Sequence, residues 1–213
     1  MRVGLDRLPS FNYHGYVLMR IMISTLIGTI STATILVAST YVTNFKVSDP
    51  QPIAVQTSTR PTWKCPDCSP SEQYVLEKLQ EKTKISDRNA LATILGNIKQ
   101  ESKFIANICE GGARVTYDRC FTGGYGIIQW TSSNRYLGLG YFAKTFGCDP
   151  SEFKCQVRYM INEPTFQRNL PAFQGGGQTV VYYMKPAYRW LGWGIKGKRE
   201  LYAYDYTRKF RLS

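Results

Sequence analysis

The stretch DRNALATILGNIKQES, residues 87–102, decides how this chain is read. Leu91, Ile94, Leu95 and Ile98 fall at i, i+3, i+4 and i+7, the spacing of one face of an α-helix. Ser86 or Asp87 supplies an N-cap just before it. Seven residues after Ile94 the same face reaches Glu101, because two turns return a helix to within about 20° of its starting direction. A carboxyl at the end of an apolar stripe resists ionisation, so its pKa rises. A general acid working near neutral pH needs that property. The alternative is a helix-end glutamate with its head in solvent. Gly96 sits inside this helix at a cost of about 1 kcal/mol relative to alanine, which is easier to understand if another backbone packs against it.

Working toward the N-terminus, Val75, Leu76 and Leu79 give residues 72–83 a helical period. Residues 43–70 hold Pro50, Pro52, Pro61, Pro66 and Pro70 among serine, threonine and polar residues and read as a linker. Before it, no charged residue occurs from Ile21 to Phe45, and the run Ile21–Val42 exceeds the roughly 20 residues that a membrane helix needs. Arg2, Arg7 and Arg20 precede this run, opposed only by Asp6, so residues 1–20 are expected in the cytoplasm and everything after Val42 outside. The preceding tail is long for a signal peptide, so an uncleaved single-pass anchor is expected. Val37-Ala38-Ser39 offers the small residues of a cleavage site as the alternative, with Met19 or Met22 as the start.

Composition agrees with an extracytoplasmic domain. The 213 residues are 43% hydrophobic and 14% aromatic, enough to build a core. The formal net charge of +12 points to an anionic partner: nucleic acid, acidic membrane or bacterial wall. No zinc-finger, RRM or KH signature supports nucleic acid, so no specific nucleic-acid partner is expected. The six cysteines, at 65, 68, 109, 120, 148 and 155, fall in three close sequential pairs, the pattern of local disulfides in an oxidising compartment. Six cysteines allow 15 connectivities, so spacing suggests the pairing without fixing it. Cys65-Pro66-Asp67-Cys68 could also be a redox site or half a zinc site. With no βαβ pattern around it, no second CxxC and His14 as the only histidine, a disulfide is the better reading. No metal or organic cofactor is implied.

Working toward the C-terminus, Gly111-Gly112, Gly123-Gly124 and Gly126 mark a long loop or small β excursion bracketed by Cys109 and Cys120. Then comes Tyr125-Gly126-Ile127-Ile128-Gln129-Trp130-Thr131. An amide beside an aromatic ring suits a sugar, the ring covering the apolar face of a pyranose and the amide bonding its hydroxyl or acetamido groups. The alternative is a buried segment with Trp130 in the core.

Together, ATILGNIKQESKF (92–104) and GGYGIIQWT (123–131) resemble the phage tail lysozyme domain, a member of the lysozyme-like superfamily with goose-type lysozymes and lytic transglycosylases as relatives. The resemblance rests on Leu95, Gly96, Asn97, Ile98, Glu101 and Ser102, then on Gly124, Tyr125, Gly126, Gln129, Trp130 and Thr131, and extends over roughly residues 72–210. Gln156 and Glu163 sit where a later helix of the family carries glutamine and glutamate, and Pro186 and Arg199 are similar to its C-terminal stretch. Two departures stand out. Cys109 and Cys120 elaborate the loop between the motifs, and Met184-Lys185-Pro186 replaces a frequent Glu-x-Pro.

The resemblance implies a mainly α (α+β lysozyme-like) catalytic domain over residues 71–213, with a small glycine-rich excursion. It implies cleavage of the β-1,4 bond between N-acetylmuramic acid and N-acetylglucosamine in peptidoglycan, with Glu101 as the acid and Ser102, Tyr125, Gln129 and Trp130 holding the glycan strand. Glu110 and Asp118 are candidate helpers, or solvated loop charges. A non-catalytic, membrane-anchored wall-binding module is the alternative. An entry lysin of a virion, a lysis enzyme and a wall remodeller would all share these features.

Overall fold

The computed structural model describes residues 60–121 and 123–213. The expected basic tail, the membrane helix at 21–42 and the linker up to residue 59 lie outside the described residues. Among the described residues no helix is long and apolar enough to cross a membrane.

Seven α-helices build the described fold: α1 (Pro70–Thr83), α2 (Arg88–Ser102), α3 (Ser133–Phe146), α4 (Phe153–Asn162), α5 (Pro164–Gln174), α6 (Val180–Leu191) and α7 (Arg199–Lys209). Between α2 and α3 run two short 3₁₀ turns, Glu110–Gly112 and Tyr117–Arg119, with isolated antiparallel bridges Ile108–Arg114, Cys109–Tyr125 and Tyr125–Trp130. This is the small β excursion expected from the glycines. It is fastened by the Cys109–Cys120 disulfide; Cys65–Cys68 and Cys148–Cys155 also pair, so all three bridges are local.

The expected linker ends earlier than residue 70. Strand β1 (Trp63–Lys64) pairs antiparallel with β2 (Arg211–Leu212), closing the two ends of the domain on each other. Trp63 exchanges backbone hydrogen bonds with the Gln80 side chain, and its indole donates to the Ser86 carbonyl at 2.8 Å. Cys65 is buried. Proline content marked this segment as a spacer, but its one tryptophan and its disulfide turn anchor it on α1.

α1 begins with a reciprocal capping box, Ser69 and Glu72 each bonding the other's backbone N–H. Glu72 then does more than cap. Its other oxygen accepts from Lys99 Nζ at 3.1 Å and from the Tyr206 hydroxyl, joining α1, α2 and α7 at one buried carboxylate. Burial alone would raise its pKa, but bonds from Tyr206, Ser69 and Lys99 hold it below the ordinary glutamate value.

α2 is the central helix. Its N-cap is Asp87, whose side chain accepts from Ala90 N at 2.9 Å. Leu91, Ile94, Leu95 and Ile98 have no exposed surface. At Gly96 a second helix crosses: an added Cβ would stand 2.5 Å from Ala203 N and 2.8 Å from the Arg199 carbonyl oxygen. The glycine therefore permits a backbone-to-backbone approach of α7. Two left-handed residues, Lys103 (φ 53°) and Phe104 (φ 63°), then stop α2 abruptly. Phe104 turns into the core, edge-on to Tyr206. Gly96→Ala should destabilise the fold by about 1–3 kcal/mol, the usual cost of overpacking, in denaturant unfolding monitored by circular dichroism. Wild-type stability in that variant would contradict the close approach.

Candidate active site

Glu101 stands one residue before the C-terminus of α2, with 15% of its side chain exposed. It is neither sealed in the core nor free in water. Its Oε1 lies 2.5 Å from an Nη of Arg199, the first residue of α7. The neighbouring Gln100 accepts at 2.9 Å from the N–H of Lys198, the N-cap residue of the same helix. The C-terminal end of α2 thus grips the N-terminal end of α7 through two consecutive side chains.

Burial raises the Glu101 pKa above the ordinary glutamate value, and the charges of Arg199 and Arg135 together with the Arg199 hydrogen bond only partly oppose it. The guanidinium side of the pair is even more enclosed. Arg199 is 4% exposed, and its Nε and Nη1 are buried without a hydrogen-bond partner. Its cation lies instead over the ring of Trp193, 4.7 Å from the centroid, and Tyr188 packs edge-on against Trp193 with about half its surface exposed. A partly exposed carboxyl, a buried cation and two partly exposed aromatic rings therefore form one continuous set of contacts.

The expected sugar-binding residues are placed otherwise. Trp130 and Tyr125 have no exposed surface, so neither ring presents a face to a ligand in this conformation. The reading of Trp130 as a core residue is the one the geometry favours. The Ser102 hydroxyl is buried and donates to the Ile127 carbonyl at 2.7 Å, tying the end of α2 to the turn at 125–130. Gln129 is half-buried, holds a left-handed φ of 53° and donates its amide to the Gly126 carbonyl at 2.9 Å. The donor that a sugar would have used closes the turn. Glu110 and Asp118 remain on the exposed loop: Glu110 accepts from Gly124 N, and Asp118 from the Thr116 hydroxyl. Neither is paired with Glu101.

Gln156 and Glu163 are buried and join the turn at 125–130 to its neighbours. Gln156 is buried, accepts from Ile127 N at 2.9 Å and donates to the carbonyls of Ala106 and Pro150. Gly126 must lack a side chain for this, since its Cβ would fall 2.4 Å from the Gln156 Oε1. Glu163, 1% exposed, accepts from the indoles of Trp130 (3.1 Å) and Trp190 (2.7 Å) and from a two-pronged Arg135 (3.0 and 2.6 Å). Met184, in place of the glutamate frequent in the resembling family, puts its sulfur 3.7 Å from the Asn97 amide and leaves Asn97 Oδ1 buried without a partner. Glu163→Ala would strand two indole N–H groups and a half-buried cation. Removing one partner of a buried pair costs about 3–5 kcal/mol, so chemical denaturation should show a loss of that size; a loss below about 1 kcal/mol would contradict the role given to this carboxylate.

No curated protein and no solved structure matches the chain. The family model of phage tail lysozyme matches residues 71–187, from the first turn of α1 into α6 and across both motifs that meet at the Ser102–Ile127 hydrogen bond. That match spans more than half of the chain, and the chain belongs to the phage tail lysozyme family.

Proposed function

We propose that this protein is a peptidoglycan-cleaving glycosidase in which Glu101 is the general acid, cutting the β-1,4 bond between N-acetylmuramic acid and N-acetylglucosamine. Family membership supports the lysozyme-like activity. The observation that carries the residue assignment is the Glu101 carboxyl itself: 15% exposed, with burial raising its pKa against the pull of a bonded arginine. In its protonated form it gives its proton to the glycosidic oxygen as the bond to the sugar carbon breaks and an oxocarbenium-like charge develops there. Its conjugate base, beside Arg199, is then stabilised as the leaving group departs. Arg199 thus acts in the direction that moderates the pKa that burial raises. The aromatic surface for the glycan is assigned to Tyr188 and Trp193, which reach the Glu101–Arg199 pair and retain exposed area, in place of Tyr125 and Trp130. Membrane anchoring through residues 21–42 would hold this domain next to the wall outside the cytoplasm; it is part of the proposal and rests on the sequence alone.

Glu101→Gln should keep the fold and lower the release of muropeptides from purified peptidoglycan by at least about 100-fold, the lower bound for loss of a positioned general acid. Mass spectrometry of the wild-type products separates reducing ends, left by hydrolysis, from 1,6-anhydro ends, left by transglycosylation. A wild-type chain that binds walls and releases nothing would make the protein a binding module. A fully active Glu101→Gln would remove the assignment of the acid.

The pH profile offers a second check. A general acid works while protonated, so the rate falls as pH rises through its pKa. Arg199 lowers that pKa. Arg199→Met removes a positive charge from the carboxyl and should move the alkaline limb of the activity profile to higher pH. An alkaline limb that stays put, or shifts down, would contradict the coupling.

A further inference from the structure

A cavity of about 340 Å³ opens beside the buried Glu163. Its walls include Ser132, Asn134, Arg135, Thr165 and Arg168. The lining mixes apolar surface, including Tyr159 and Pro164, with two guanidinium groups, and only one of these is neutralised. Arg135 is locked: its Nε and one Nη form a fork on Glu163, which two indoles hold in turn, and its other Nη has no protein partner among the described residues. Such a cation loses little freedom when it meets a ligand, because its side chain is already ordered. Arg168 is exposed, bonds only the Thr165 hydroxyl at 3.2 Å, and makes no ion pair among the described residues. The cavity therefore has a net positive charge, with hydroxyl and amide groups around it. The charge of Arg135 also bears on Glu101, so this cavity and the proposed acid share one electrostatic neighbourhood.

We infer that this cavity is a subsite for a carboxylate borne on the 3-O side chain of a muramyl residue, with Arg168 as the residue that selects it and Arg135 as the preordered second cation. The inference rests on the glycan-cleaving reading above and deepens it. A guanidinium recognises a carboxylate through two parallel charged hydrogen bonds, whereas Ser132, Asn134 and Thr165 suit neutral hydroxyl and acetamido groups. The carboxylate has two sources in a wall: the lactyl acid itself where the peptide has been removed, or the acidic peptide that extends it.

The test uses calorimetric binding to the full chain carrying Glu101→Gln, so that bound sugar is not turned over. Three probes are compared: a tetrasaccharide alternating N-acetylglucosamine and N-acetylmuramic acid with free lactyl groups, the same tetrasaccharide bearing its stem peptides, and the neutral tetramer of N-acetylglucosamine. At least one acidic probe should bind about tenfold more tightly than the neutral tetramer, the gain expected of a charged hydrogen-bonded pair. Adding Arg168→Gln should erase that preference while leaving affinity for the neutral tetramer unchanged, which also shows that the variant is folded. Which acidic probe is preferred identifies the source. Equal binding of all three, or a preference that survives Arg168→Gln, overturns the subsite and leaves the glycan-cleaving reading standing. Failure of all three to bind overturns both.

Discussion

The approach of α7 to α2 at Gly96 is the contact on which the rest of the site depends. Only a residue without a Cβ lets the backbone around Ala203 come so close. That proximity brings the first residue of α7, Arg199, onto Glu101 five positions further along α2. The charged pair is a consequence of a packing choice. Its energetics are also set by packing: ring and backbone surround the guanidinium, so the pair sits where desolvation rivals attraction. Burial pushes Glu101 toward its neutral form while Arg199 pulls it back. The result is a carboxyl whose pKa lies above the ordinary glutamate value, the direction in which a general acid is tuned.

Around that pair the protein uses buried polar side chains as structural joints. Ser102 binds the turn at 125–130 to the end of α2, Gln156 holds the same turn from α4, and Glu163 gathers Trp130, Trp190 and Arg135 at the junction of α4 and α5. Each of these groups has its hydrogen bonds met, the condition for a buried polar network to specify one arrangement. The two sequence motifs of the family are therefore two halves of one joint, with Glu101 at its edge. The core of the described domain is reinforced further by three local disulfides and by the pairing of β1 with β2.

How much of this was legible in the sequence follows from which interactions are local. The stripe of α2, its Asp87 cap and the position of Glu101 at the stripe's end depend on neighbours within two turns, and periodicity reports them. Gly96 announced a close backbone, though not whose. The disulfide partners, three to eleven residues apart, were suggested by spacing. The sequence leaves Trp130 open between sugar platform and core residue, because its indole partner, Glu163, lies 33 residues away. The amide of Gln129 likewise serves a turn that only the folded backbone reveals. α7 escaped periodicity because its inward face at 199, 203 and 206 carries an arginine, an alanine and a tyrosine in place of an aliphatic stripe. Arg199 was visible only through family resemblance, and its bond to Glu101 only in the fold. Proline counting placed the linker's end too late, as a two-residue strand leaves no periodic trace.

The most direct measurement of the central claim is an NMR titration of the Glu101 side-chain carboxyl in the wild-type chain, with the carbon label assigned by comparison with Glu101→Gln. A midpoint above the unperturbed glutamate value of about 4.3 is expected. A midpoint at or below that value would mean that Arg199 dominates burial, and would contradict an acid poised to donate its proton.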